Sequence, residues 1–260
     1  MPTARVLGAD FYYEKHGDGP ALLFAHGVAG NHLMWWQQVP YFRERYTCIT
    51  VDQPGYGGSA QPPGESWSYV DCLRALLDEL GIERVSLVAQ SMGGRMCLGY
   101  TLRHPERVSA LVMADTVLPL RLPEFGDWRS EAESKRAELA ARGIHPACGV
   151  TMAEEQPALH FLFQQIAGLN SQWSAQNPAP GATRVPNAGH DALQGYQTPT
   201  LFVVGEEDIV IPPRVVEQAA AAVPNASLAK VPRSGHSVYF ERAAEFNHLV
   251  DLFLSSALST

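Results

Sequence analysis

Cysteine is scarce in this chain of 260 residues, and its four copies, Cys48, Cys72, Cys97 and Cys148, are scattered. None forms a C-x-x-C pair, which argues against a zinc knuckle or a redox dithiol. Three of them stand in apolar contexts, where a free thiol serves as a small core residue. No run approaches the roughly 20 apolar residues that a bilayer-crossing helix needs. No basic cluster offsets the formal net charge of -8, so neither nucleic acid nor membrane is an expected partner. Met1 to Lys15 carries no apolar run behind positive charge, so no secretory signal is read there and the cytoplasm is the expected compartment. The glycosylation acceptor pattern Asn225-Ala-Ser227 is then read as chance. An H-E-x-x-H pair and a P-loop are also missing. Gly55-Tyr-Gly-Gly-Ser-Ala60 satisfies the loose dinucleotide pattern, but Pro62, Pro63 and Gly64 deny it the helix that must follow. No metal and no cofactor are expected, and the chemistry must come from side chains and backbone amides.

Apolar residues make up 46% of the chain and charged residues 18%, the balance of a globular domain. Short apolar runs recur at Ala21–Ala25, Cys48–Val51, Val85–Val88, Ala110–Met113 and Leu201–Val204. Such runs read as strands buried on both faces, the habit of a parallel sheet. Between them lie helical patterns. Tyr69 to Leu80 aligns Val70, Leu73, Leu76, Leu77 and Leu80 on one stripe before Gly81, Met92 to His104 ends at Pro105, and Phe246 to Leu258 closes the chain. Alternation of this kind predicts an α/β class fold, a mostly parallel sheet flanked by helices. The rhythm breaks from about Leu118, far longer than an ordinary connection of about 4–6 residues. Two helical stretches, Trp128–Arg142 and Glu155–Leu169, and a Pro/Gly/Asn-rich tail from Asn177 to Gly189 lie there. The expected division is a core of residues 1–117 and 197–260 carrying a small inserted helical cap, 118–196.

The strongest chemical signal is Val88-Ala-Gln-Ser-Met-Gly-Gly94, which follows a buried strand and opens a helix. A serine on that turn is exposed at the carboxyl edge of the sheet, and small residues flank it because strand and helix backbones pass closely. Capping a helix is the plainer job for such a serine. His236, in Arg233-Ser-Gly-His-Ser237, sits between a short strand, Ala226–Val231, and the final helix, where a general base can reach the serine. Asp208 follows the strand at Leu201–Val204, placed to hold the imidazole tautomer. Asp115, after Ala110–Met113, is the rival acid. In Phe24-Ala-His-Gly-Val-Ala-Gly30, Gly27 allows a tight turn, and the Val28 and Met92 amides are the candidate oxyanion donors. His26 is read as a loop anchor. Trp35 and Trp36 either line a pocket or pack the first helix on the sheet.

Taken as a set, Ala25-His-Gly-Val, Val51-Asp-Gln-Pro-Gly-Tyr-Gly-Gly-Ser59, Ala89-Gln-Ser-Met-Gly-Gly94, Gly205-Glu-Glu-Asp208 and Gly235-His236 resemble the α/β-hydrolase superfamily. The chain departs from its pattern at Ala89, where glycine is usual, and at Gln53 and Pro54, which stand for x-Arg. The resemblance implies the α/β-hydrolase fold and a cofactor-free hydrolase acting on a small-molecule ester, thioester, lactone, amide or C–C bond. Serine in place of aspartate argues against dehalogenase or epoxide-hydrolase chemistry. On this reading Ser91, Asp208 and His236 form a triad, and Gly27, Trp35, His160, Phe161 and Phe163 are candidate substrate contacts beneath the cap. Their apolar face suggests a largely apolar small ester or lactone. Lyases, cofactor-free oxygenases and ligand-binding receptors on the same fold are the other readings.

Overall fold

The computed structural model describes residues 2–28, 30–170 and 180–259. Its strands are β1 (Thr3–Val6), β2 (Ala9–His16), β3 (Ala21–Ala25), β4 (Thr47–Val51), β5 (Val85–Gln90), β6 (Val108–Ala114), β7 (Thr200–Gly205) and β8 (Ala226–Val231). Helices α1 (Gln38–Phe42), α2 (Tyr69–Glu79) and α3 (Gly93–Arg103) fall between β3 and β6. Between β6 and β7 lie α4 (Trp128–Ala141), α5 (Val150–Glu155), α6 (Pro157–Gly168) and α7 (Pro180–Thr183). Helix α8 (Pro213–Ala222) precedes β8, and α9 (Val238–Glu241) and α10 (Ala243–Ala257) follow it. Of the Asn177–Gly189 tail, residues 177–179 lie outside the described residues.

The strands form one eight-stranded sheet in the order β1-β2-β4-β3-β5-β6-β7-β8, parallel from β4 to β8. Residues of β5, Val85 to Gln90, are buried throughout, as a parallel strand covered on both faces must be. Side chains alternate between two apolar layers. Leu23, Ile49, Leu87, Leu111 and Phe202 pack with α2, α3 and α8, whereas Leu22, Phe24, Val88, Val112 and Val203 pack with α1, α9 and α10. The four cysteines are buried and unpaired with one another.

Two elements at the amino end differ from a purely parallel pattern. Strands β1 and β2 form an antiparallel hairpin on the sheet edge, joined by Leu7 (φ 48°) and Gly8 (φ 83°). Two consecutive left-handed residues are what a tight two-residue hairpin demands. Leu-Gly carries only half of that turn signal, which hides the hairpin in the sequence. The order of α2 is plainer: a capping box links Ser68 and Asp71 at its start, and Gly81 (φ 66°) closes it with Ile82 N–H donating to Leu77 O at 2.9 Å.

The helical stretch expected from Glu155 to Leu169 is present as α6, Pro157–Gly168, and starts two residues later than expected. Gln156 adopts φ -129°, ψ 57° before Pro157, which ends α5 and starts α6. Proline disfavours the helical region for the residue before it, so the break sits where the sequence demands one.

Sheet order reverses at β3, whose two neighbours, β4 and β5, are reached by crossovers on opposite sides. Connections leaving adjacent strands in opposite directions open a crevice at the carboxyl edge, the usual place for a ligand in an open α/β sheet. Gly93, opening α3, presses on that edge: a Cβ there would meet the Ala25 carbonyl and lie 3.0 Å from the His26 oxygen. Both obstacles are backbone and cannot yield. Gly93→Ala is therefore expected to lower stability by about 1–3 kcal/mol in chemical denaturation. Gly168→Ala, at a helical position with open space around it, is expected to be neutral or stabilising by up to ~1 kcal/mol. Equal effects of the two substitutions would contradict this packing.

Candidate active site

Strand β5 ends at Gln90 and α3 begins at Gly93, so Ser91 occupies the turn between them. Its φ is 48°, the left-handed region that a residue with a Cβ rarely adopts. Three hydrogen bonds hold it there. The Ser91 N–H donates to Ala114 O on β6 (3.2 Å), and its carbonyl accepts from Gly94 N–H (3.0 Å) and from the Thr116 hydroxyl (2.7 Å). Gly27 lies against the turn so closely that a Cβ would strike the Gln90 side chain and approach Ser91 Cβ to 3.0 Å. Ala89 is still within β5, fully buried between Ala25 and Met113, where the strand accepts its methyl.

The loop after β8 brings His236 to this serine. His236 Nε2 is 2.8 Å from Ser91 Oγ, and its Nδ1 is 2.8 Å from Asp208 Oδ2. Both imidazole and carboxylate are buried. Asp208 Oδ1 accepts the Val210 and Ile211 N–H groups at 2.7 and 2.9 Å, which fixes the carboxylate in the turn after β7. A carboxylate facing Nδ1 favours the proton there and leaves Nε2 free to accept the serine hydroxyl.

Asp115 does not touch His236. It is fully buried, and its two oxygens accept the Gly205 and Val238 N–H groups, each at 2.9 Å. Burial, then the nearby charge of Asp208, pushes its pKa well above the usual carboxylate range. Its place is under the acid loop, tying β7 to α9. Two further residues, unrecognised in the sequence, hold the histidine loop. Gln90 Nε2 donates to the His236 carbonyl at 2.7 Å. Glu241 accepts N–H groups from Gly149 and Gly235 at 3.0 Å and from Ser237 at 3.3 Å. Gln90 is next to the serine and could have been found from the motif; Glu241 has no local pattern to mark it.

Val28 and Met92 line the same cavity as Ser91. Among the described residues neither of their N–H groups is given to another protein acceptor. Free amides beside a nucleophile are what an oxyanion would need. His26 anchors this loop from below: its Nδ1 is 2.7 Å from Gly27 O and its Nε2 accepts the Gln53 N–H at 3.0 Å, while the Gln53 side chain donates to the His26 carbonyl. Burial pulls the His26 pKa down to about 4, so it is neutral. Gln53 thus belongs to the loop scaffold.

The candidate substrate contacts fare differently. The cavity beside Ser91, about 340 Å³, is lined by Arg95, Leu118, Trp128, Arg129, Arg136, Ala182, Thr183, Val210 and Ile211 with Val28 and Met92. Trp35 is fully buried against Phe24 and Tyr239, and so packs the core instead of lining this cavity. Phe163 is buried in the second apolar layer, edge-on to Phe240 at 5.2 Å. Phe161, two residues earlier on α6, is 61% exposed. Residues two apart on a helix point about 200° apart, so the two rings cannot share a face. His160 Nε2 accepts the His145 N–H at 3.2 Å. None of these three, nor Gly27, is among the residues lining this cavity. The apolar-substrate expectation that rested on the rings of α6 therefore loses its basis, and α4 and α7 supply part of the lining. Among the described residues no three His, Cys, Asp or Glu side chains converge as a metal site. No helix among them is long and apolar enough to cross a membrane.

A family model described as alpha/beta hydrolase fold matches residues 20–142, and one described as TAP-like protein matches residues 163–258. An uncharacterized carboxylesterase nap of Bacillus subtilis is 28% identical over 92% of this chain and 80% of its own length. The 3-oxoadipate enol-lactonase 2 of Acinetobacter baylyi is 26% identical over 96% of this chain and 94% of its own. Among solved structures, a thermophilic esterase from Thermogutta terrifontis superposes with a TM-score of 0.82 at 24% identity, covering 98% of both chains.

Burial raises the Glu241 pKa to about 7, against the pull of its three N–H donors. An acid whose pKa rises on folding binds its proton more tightly in the native state. Its stabilising contribution is full below the unfolded value of about 4.3 and is lost as pH rises through about 7. Between pH 5 and pH 8 the protein should therefore lose stability relative to Glu241→Gln, by an amount on the order of 1–3 kcal/mol in urea titrations. A difference that stays constant or grows with pH would contradict this.

Proposed function

We propose that this chain, which matches the alpha/beta hydrolase fold model over residues 20–142, is a serine hydrolase that cleaves a small ester or lactone through an acyl-enzyme. The observation that carries this reading is the continuous chain from Asp208 through His236 to Ser91, with both links at 2.8 Å. His236 Nε2 takes the Ser91 proton as Oγ attacks the substrate carbonyl. The oxyanion that forms rests between the Val28 and Met92 amides, and losing one such donor costs about 100–1,000-fold in turnover. The imidazolium, stabilised by Asp208, then protonates the departing alkoxide. Water then attacks the acyl carbonyl as it gives a proton to His236, and His236 returns that proton to Ser91 Oγ as the acyl–Oγ bond breaks and the acid departs. Every step uses groups of this chain, so the proposal needs no cofactor, and the substrate is its one required partner.

Asp115 has no part in these steps, since both its oxygens are occupied by backbone N–H groups away from His236. A fluorophosphonate is expected to label the protein once, at Ser91, and Ser91→Ala should abolish both labelling and ester turnover while remaining folded. Asp208→Asn should lower kcat by on the order of 10,000-fold through the wrong histidine tautomer, with Asp115→Asn costing much less. Labelling that persists in Ser91→Ala, or the reverse order of the two aspartate variants, would overturn the assignment.

A further inference from the structure

The cavity that holds Ser91 is also lined by cationic side chains from two separate elements. Arg95 lies on α3 one turn beyond the serine, and Arg129 and Arg136 lie seven residues apart on α4, two turns and so on one face. Arg121 stands behind them, next to Arg129 in a neighbouring depression. Among the described residues none of the four forms an ion pair with a carboxylate. Arg95 donates to Val185 O at 3.4 Å, and Arg129 lies 4.7 Å over the Trp128 ring, with the neighbouring Asp127 charge favouring its ionised form without forming an ion pair.

These positive charges also act on one another. Burial and then Arg129 lower the Arg95 pKa, and burial with Arg129 and Arg95 pulls Arg121 down to about 10. A protein with 27 acidic and 19 basic residues could have neutralised such a cluster from its own surface. Grouping unpaired guanidinium groups in a partly enclosed cleft instead concentrates positive potential where a substrate enters. Guanidinium recognises carboxylate in a planar, two-pronged geometry, and a charge-assisted hydrogen bond of this kind is about twice as strong as a neutral one. The remaining lining, Leu118, Trp128, Ala182, Val210 and Ile211, is apolar and suits a short carbon chain between the charged end and the reacting carbonyl.

We infer that the substrate is an acid-bearing ester or lactone, whose free carboxylate is held by Arg95, Arg129 and Arg136 while its carbonyl lies at Ser91. This rests on the reading of Ser91 as nucleophile, and it makes the arginines determinants of specificity. Monomethyl adipate and dimethyl adipate provide matched probes, one anionic and one neutral, with the same chain. At low salt the protein should show a kcat/KM about 10–100-fold higher for monomethyl adipate. In Arg129→Gln/Arg136→Gln that ratio should fall to within about threefold of one, the loss falling mainly on the anionic ester. Raising ionic strength to about 0.5 M should compress the wild-type ratio in the same direction. Adipate itself, titrated into Ser91→Ala by calorimetry, should bind, and binding should vanish when the two α4 arginines are also replaced by Gln. That titration separates the two readings. If neither ester is hydrolysed but adipate binds through the arginines, the nucleophile assignment fails and the charge assignment stands. A wild-type ratio at or below one, or adipate binding indifferent to the arginine substitutions, overturns the inference.

Discussion

The site depends on one local constraint: Ser91 is held at a positive φ, with helix α3 pressed against the end of β3. A residue other than glycine in the left-handed region costs about 1–3 kcal/mol and persists only where its surroundings leave it no alternative. Here the surroundings are Ala114 O, Gly94 N–H and the Thr116 hydroxyl, all bonded to the Ser91 backbone. Gly93 lets the helix approach, and Gly27 lets the neighbouring loop close on the turn. The result is a hydroxyl at the carboxyl edge of the sheet, in a cavity also lined by Val28 and Met92, whose N–H groups have no other acceptor among the described residues. Relaxing that turn would move nucleophile and amides together.

The histidine must meet this fixed point from a loop far along the chain, and buried acids hold it there. Asp208 bonds the imidazole itself, while Asp115 and Glu241 bond backbone N–H groups around it. Burying several carboxylates so close together is costly, and the raised pKa values of Asp115 and Glu241 register that cost. Because Asp115 and Glu241 are spent on backbone N–H groups, Asp208 is left as the carboxylate on the imidazole. Gln90 closes the arrangement by joining the residue before the serine to the His236 carbonyl.

Much of this was readable in the sequence where a single element carries the signal. The all-apolar runs mark the buried parallel strands that Ser91 and Asp208 follow, and His236 follows the parallel edge strand β8, so topology alone brings the three to one edge. What was hidden depends on how separate elements meet. The β1–β2 hairpin turns on Leu7, a poor advertisement for a left-handed residue. Phe161 and Phe163 read as one apolar face only if the 3.6-residue period is ignored. Trp35 sits beside the oxyanion loop in sequence yet points into the core. Arg95, Arg129 and Arg136 share no pattern, since α3 and α4 become neighbours only through tertiary packing.

On the proposed mechanism Ser91 carries a covalent acyl group during turnover. Rapid-quench mass spectrometry during turnover of a methyl ester tests it most directly. The account predicts transient addition of the acyl mass, without methanol, on the peptide that contains Ser91, decaying at the rate of product release. Turnover with no acyl adduct on that peptide at any quench time, or an adduct on another residue, would contradict it.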